Sequence, residues 1–311
     1  MPNKKVKEGG LSHPPFFNLK EVLGLVGEKI SAYLFMVPAI VMVVLFLLIP
    51  AGYTVVVSLT KWDGLSTPQF IGLGNYLRFI KDTVFLTSLK NTVIWVIFTL
   101  ALSVLLGLLI AYFVNRVRFA SLFKSVFYIP LTISAVTTGL IWLWMYSPDL
   151  GVINTALNAL GFPGRSWMSE VPLNTYSMII SWTWKTVGSN MVIFLIGLQA
   201  IPVDPVEAVK LDGATEWQTF RYVVFPMLKP ITTVVVSMSL INSFNIFDII
   251  YVMTGGGPYR SSETLAVSMF RESFVLFHMG YGASIAIFLS IIVLFISWIY
   301  IREVTRRELR Y

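Results

Sequence analysis

Residues Asn91–Asn115 read NTVIWVIFTLALSVLLGLLIAYFVN, 25 residues without a charge. A bilayer core about 30 Å thick needs about 20 mostly apolar residues to be crossed by a helix, so this stretch is long enough to span a membrane. It shows no period-two alternation and exceeds the roughly 10 residues of a membrane-barrel strand. Lys90 bounds it on one side, and Arg116, Arg118 and Lys124 follow on the other.

Five more stretches of this kind flank it. Ser31–Thr60, Ser125–Pro148 and Ser273–Ile301 are uncharged, the early part of the last, around His278 and Gly280, reading as interfacial. Asn174–Ile201 is interrupted by Lys185, and Tyr222–Met253 carries Lys229 near its start and Asp248 near its end. The expected fold class is an all-α membrane protein with six transmembrane helices. Composition agrees: 56% of the 311 residues are hydrophobic and 13% are charged, against roughly 25% charged in soluble proteins.

The chain has 23 Lys and Arg against 16 Asp and Glu. In so apolar a sequence this excess reads as topology rather than as a nucleic-acid patch, because basic residues collect in cytoplasmic loops. With both termini cytoplasmic, the inner set is Lys4, Lys5, Lys7, Lys20, Lys29, Arg116, Arg118, Lys124, Lys210, Arg221, Lys229, Arg302, Arg306, Arg307 and Arg310. The outer set is about half as large: Lys61, Arg78, Lys81, Lys90, Arg165, Arg260 and Arg271. There is no Cys, and the only histidines are His13 and His278. Disulfides, thiolate metal sites, Cys nucleophiles and histidine-built zinc sites are thereby set aside, and no catalytic residue, metal or cofactor is expected.

No Ala-x-Ala-like site precedes the first span, which is read as a retained helix. Within the N-terminal tail, residues 1–30, Leu19, Val22, Leu23, Val26 and Ile30 recur at helical spacing. That pattern fits a short amphipathic helix on the membrane surface and equally a partly ordered tail. Residues 31–301 then form the membrane domain and 302–311 a C-terminal tail.

Between the fourth and fifth spans lies PVDPVEAVKLDGATEWQTF, Pro202–Phe220. It holds two consecutive helix starts. Asp204 is placed as an N-cap, Pro205 at the first helical position and Glu207 to close a capping box. Gly213 tolerates positive φ, so the first short helix can stop and turn there. Thr215 with Gln218 makes a second capping box that launches a helix toward Pro226. Four of the 16 acids, Asp204, Glu207, Asp212 and Glu216, fall in this loop. On local physics alone it is an interfacial connector.

The string Glu207-Ala208-x-x-x-Asp212-Gly213-Ala214, then Phe220, then Val223-x-Phe225-Pro226, resembles the EAA loop of permease subunits in binding-protein-dependent ABC importers. Phe70-Ile71-Gly72-Leu73-Gly74-Asn75-Tyr76, Gly151-Val152-Ile153-Asn154 and Thr254-Gly255-Gly256-Gly257-Pro258 narrow the resemblance to the carbohydrate branch, similar to the maltose and glycerol-3-phosphate permeases. It covers about residues 31 to 301. Val209 in place of a second alanine, and Val223 and Phe225 in place of Ile and Leu, keep the apolar character.

The resemblance implies a type I ABC importer permease (MetI-like) fold in a bacterial or archaeal cell membrane. It further implies that Glu207, Ala208, Asp212, Gly213 and Ala214 couple to a separate ATPase. The partners it implies are a second homologous permease in a heterodimer, a dimer of ATP-binding subunits, an extracytoplasmic solute-binding protein, a carbohydrate and membrane lipid, with no nucleic acid. No Gly-x-x-x-x-Gly-Lys-Ser/Thr occurs in the chain, so hydrolysis is expected from another polypeptide. A glycerol-3-phosphate or polyol-phosphate cargo is the alternative within the family. An ion-coupled secondary transporter, the alternative outside it, would need broken helices or midplane carboxylates.

Polar groups inside a membrane are costly and face a cavity or another helix. At about 100° per residue, Trp182, Lys185, Thr186 and Ser189 share one arc of the fourth span, flanked by Asn190. Asn242, Asn245 and Asp248 recur every third residue on the fifth. These faces, with Phe244, Phe247 and Tyr251 as aromatic companions, are the candidate substrate pathway, because sugars offer hydroxyls and an apolar ring face. Asn and Ser also bond across membrane helices simply to pack them. Lys185 and Asp248 are candidates for a structural ion pair, with each other or with the partner permease that the resemblance implies. Gly255–Pro258 reads as an outer turn, with Arg260 and Glu263 beside it as candidate receptor contacts.

Overall fold

The computed structural model describes residues 35–308. The N-terminal tail with its amphipathic pattern, residues 31–34 and residues 309–311 lie outside the described residues. The chain divides into two units, Met1–Tyr53 and Thr54–Tyr311. The first unit holds the leading part of the first span, the helix Phe35–Ser58.

Among the described residues, four helices are long and apolar enough to cross a membrane unbroken: Phe35–Ser58, Thr83–Val114, Leu173–Gln199 and Met279–Glu303. Two more spans are bent pairs, Ala120–Thr132 with Ala135–Met145 at 102°, and Glu216–Met227 with Lys229–Phe244 at 70°. Counting each pair as one span gives the six expected from hydropathy, with two corrections.

The third span is broken rather than continuous. Pro130 lies in its first limb, Ile133 is extended at ψ 140°, and Ser134 starts the second limb by accepting the Thr137 N–H at 3.1 Å. The fifth is broken twice, at Leu228 between Pro226 and Pro230, and again over 245–247 before the short helix Asp248–Met253. Proline removes a backbone donor and disfavours helix in the residue before it, whereas hydropathy carries no directional information. The sixth span continues as helix to Glu308, so the expected tail from 302 is helical up to there.

The second and fourth spans share the most extensive contact. At their crossing a Cβ on Gly107 would lie 2.7 Å from Asn190 Cβ; small residues permit such close approach of membrane helices. The core comprises three apolar clusters, centred on Trp95, Met178 and Ile250, on Phe85, Leu265 and Ile285, and on Met191, Phe194 and Leu228. Beside the helices stands a two-residue antiparallel ladder pairing Thr60 with Phe70 and Lys61 with Gln69.

Asparagines stitch the loops to the bundle. Asn75 donates to Ser58 O and Thr60 O, both at 2.8 Å. Asn154 donates to Pro148 O and Arg165 O and accepts from Arg165 N–H and Trp167 Nε1. Asn91 reaches Ser261 O and Glu263 O, and Asn174 reaches Gly257 O at 3.0 Å. The short sequence motifs around Asn75, Asn154 and Gly257 thus have a local structural reason: each supplies, or receives, a bond that closes a loop.

Candidate functional site

The loop Pro202–Phe220 folds as helix, turn, helix. The first helix is Val203–Leu211, with Pro202 rather than Asp204 at its N-cap and no side-chain cap bond. It starts earlier than expected because Pro205, now in the third helical position, gives up an N–H that has no intrahelical partner there either. Asp204 falls in the first turn, where a carboxylate favours the positive helix end. At the other end Gly213 N–H bonds Lys210 O and Ala214 N–H bonds Val209 O, at 3.1 and 3.2 Å, with Gly213 at φ +83°. This is a Schellman motif. A Cβ at Gly213 would meet nothing within 4 Å, so glycine is required there for its φ and not for space. The Thr215–Gln218 capping box forms as expected.

The first helix buries none of its side chains. Glu207, Ala208, Asp212 and Gly213 are exposed and Ala214 half-buried, with Leu211 and Trp217 among the most exposed apolar groups nearby. The loop is nevertheless anchored. Glu216 pairs with Lys210 at 2.9 Å and with Arg116, just beyond the second span, at 2.6 Å. Arg116 stacks on Tyr112, whose ring meets Phe220 at 4.8 Å, and Val206 packs against the Met191–Phe194 cluster. Arg116 was counted in the sequence only as an orientation signal.

Inside the bundle a cavity of about 280 Å³ brings together Trp182, Lys185, Thr186, Ser189 and Asn190 of the fourth span with Met238, Ser239 and Asn242 of the fifth and Thr99 and Ser103 of the second. Asn190 donates to Ser239 Oγ at 3.2 Å, and the Ser103 and Thr186 hydroxyls lie 3.1 Å apart. Thr99 Oγ1 is buried without a hydrogen-bond partner among the described residues. Polar groups on an otherwise apolar wall suit a small hydroxylated cargo, in a cavity just below the roughly 300–1,000 Å³ usual for ligand pockets.

Three pathway candidates fall elsewhere. Asn245, Asp248 and Tyr251 do not line this cavity; all are exposed. The break at 245–247 turns the chain, so the every-third-residue arithmetic from Asn242 fails beyond it. Asn245 bonds back to Ile241 O, and Asp248 opens its own short helix. Tyr251 stacks on Phe247 at 5.1 Å in a ladder continuing to Phe270 and Phe274, while Phe244 is core. Lys185 does not pair with Asp248. Its ammonium donates to Ile133 O and, at 3.4 Å, to Leu131 O.

Beyond the fifth span, Glu263 is fully buried, and so is not a receptor contact. Arg260 Nη2 lies 2.9 Å from it and Arg271 Nε 2.6 Å. Arg260 also reaches Glu272 at 3.0 Å, and His278 Nδ1 reaches the other oxygen of Glu272 at 2.9 Å. Burial works against the Arg260 charge, but Glu263 and Glu272 outweigh it and hold the guanidinium above its ordinary pKa. Buried charges persist only when paired in this way. Next to the network, Tyr259 stands fully exposed at positive φ.

Residues 103–307 match the family described as the binding-protein-dependent transport system inner membrane component. The sn-glycerol-3-phosphate transport system permease protein of Agrobacterium fabrum is 32% identical, over 90% of this chain and 96% of that protein. The trehalose/maltose transport system permease protein of Thermococcus litoralis is 31% identical, over 88% and 94%. Among solved structures, a chain of a bacterial ABC transporter involved in the import of the acidic polysaccharide alginate superposes with a TM-score of 0.81 at 20% identity, covering 92% of this chain and 99% of that one; the likeness is one of fold.

Proposed function

Since the chain belongs to the family of binding-protein-dependent transport system inner membrane components, we propose that it forms half of the translocation pathway of an ATP-driven carbohydrate importer. It is a multi-pass membrane permease subunit of an ABC importer and not an enzyme; ATP is hydrolysed by a separate subunit. The breaks in its third and fifth spans are therefore compatible with ATP-driven import and do not mark a secondary transporter.

The observation that carries the coupling role is the first loop helix, which has no fully buried side chain yet is tied down at its C-terminal end, where Lys210 pairs with Glu216 and Glu216 with Arg116. A helix that turns only Val206 toward its own core and leaves the rest of its surface open is shaped for another chain. Glu207, Ala208, Asp212, Gly213 and Ala214 dock in the ATPase, Glu207 accepting from basic groups and Ala208 allowing close approach. Trp182, Lys185, Asn190 and Asn242 line this subunit's share of the path. The exposed polar row Asn245, Asp248 and Tyr251 faces the second permease, since polar side chains in a span are poorly placed against lipid. Two ATPase subunits and an outer solute-binding protein complete the assembly, and both termini are cytoplasmic.

A neutral carbohydrate is favoured over a phosphorylated polyol because Lys185, the one cation lining the cavity, already has two backbone acceptors. Reconstitution with its partners in proteoliposomes tests the class: uptake follows ATP and is indifferent to proton or sodium gradients. Thermal shift of the cognate binding protein against trehalose, maltose and glycerol-3-phosphate tests the cargo, with stabilisation by a sugar expected. Uptake that runs without ATP would overturn the first reading, and stabilisation by the phosphate alone the second.

A further inference from the structure

We infer that Lys185 is a clamp that sets the angle of the broken third span and ties that angle to what occupies the cavity; the second half of this rests on the cavity being the cargo path. The break after Thr132 leaves carbonyls at the end of Ala120–Thr132 without intrahelical donors, at a depth where lipid supplies none. Lys185, 8% exposed, donates to two of them, Leu131 O and Ile133 O. A cation there also faces the negative end of the limb's dipole.

Both limbs touch the fourth span, but each is held chiefly by a different neighbour. The first lies against the fourth span so closely that a Cβ on Gly188 would stand 1.9 Å from Phe127 O. The second packs chiefly on Asp248–Met253 of the fifth, where a Cβ on Gly139 would stand 3.0 Å from Val252 Cγ1. The joint between these bodies is Ile133–Ser134, and Lys185 bonds on one side of it and at it. Lys185 and Leu131 also line the cavity. An ammonium has three donors; two are engaged, and the third has no partner among the described residues. A cargo hydroxyl taking that donor pulls on the group that fixes the joint. Lys185 is thus a positioning residue for the conformational cycle.

The chain contains no cysteine, so spin labels at Val126→Cys and Leu140→Cys, exposed positions at 54% and 50%, report the inter-limb distance in the assembled transporter in lipid. The parent should give a narrow distribution that shifts between the resting and ATP–vanadate-trapped states. Lys185→Met should broaden it until the two states overlap, and Lys185→Arg should restore the separation. Unchanged distributions in Lys185→Met, or Lys185→Arg as broad as Lys185→Met, would overturn the clamp. Should Lys185→Met not assemble, Lys185→Gln replaces it, with a width between those of Arg and Met expected; Gln equal to the parent overturns the proposal.

Uptake of trehalose and maltose on the same preparations separates the two readings. Lys185→Gln should raise the KM roughly tenfold, the loss of one charge-assisted bond. A parent that takes up no sugar removes the carbohydrate reading and leaves the distance result standing. Normal uptake with an unmoved joint removes the clamp alone.

Discussion

Glu263 is a buried acid that holds two arginines from different turns of the chain. Its carboxylate is fully buried between Arg260 and Arg271, and its side chain fills the space over Gly256, where a Cβ would stand 2.3 Å from Glu263 Cγ. Removing one partner of a buried pair leaves uncompensated charge, at a cost of about 3–5 kcal/mol. Glu263→Ala should therefore lower the thermal midpoint of the detergent-solubilised protein sharply, and an unchanged midpoint would show the network to be dispensable. Gly213 poses the opposite case. Its Cβ position is empty, so Gly213→Ala introduces no clash and costs only the left-handed conformation, about 1–2 kcal/mol. The expected loss is of substrate-stimulated ATPase activity in the assembled transporter, complete in Gly213→Leu and partial in Gly213→Asn, a residue that tolerates positive φ. Equal coupling in all three would sink the docking role. Gly213 was legible from the chain because a turn glycine between two capping patterns is a local signal. The burial of Glu263 was not, since it depends on Arg271, Glu272 and His278 arriving from a later turn of chain.

At the level of elements, long apolar runs locate all six spans, four of them uncharged and two carrying one or two charges, because length and hydropathy are what a bilayer demands. What they do not encode is direction. Residues 131–134 are uncharged throughout, and nothing in Leu-Thr-Ile-Ser announces a 102° bend. The Lys185–Asp248 pair was a reasonable inference from two opposite charges in adjacent spans, but a carbonyl freed by a break is an acceptor that no side-chain inventory contains. The fourth span's candidates share one cavity because its helix runs unbroken from Leu173 to Gln199; of the fifth span's row only Asn242, the last before its break, joins them. The contact between the third and fourth spans gives a sharp test. Gly188→Ala places a methyl group where Phe127 O lies, and overpacking of this kind costs about 1–3 kcal/mol or more. The expected result is a destabilised protein in which the first limb is displaced, seen as a lower thermal midpoint and a longer distance between labels on the third and fourth spans.

At the scale of the whole molecule, orientation is the quantity that joins the two ends of the transporter. The basic residues divide about two to one in favour of the side carrying the Pro202–Phe220 loop, and the proposed orientation, with that loop and both termini in the cytoplasm, rests on this bias. In that orientation the Arg260–Glu263 network and Tyr259 face outward. A chain without cysteine allows this to be measured directly. Tyr259→Cys, fully exposed and free of the ion-pair network, should react with a membrane-impermeant maleimide added to intact cells. Leu211→Cys, at the exposed end of the loop helix, should react only after the membrane is permeabilised, and should be protected when the ATPase subunits are present. The reverse pattern would invert the topology and remove the coupling assignment with it, because a loop on the outer face cannot reach an ATPase in the cytoplasm. Labelling of Leu211→Cys that is blind to the ATPase would keep the topology and remove only the docking surface.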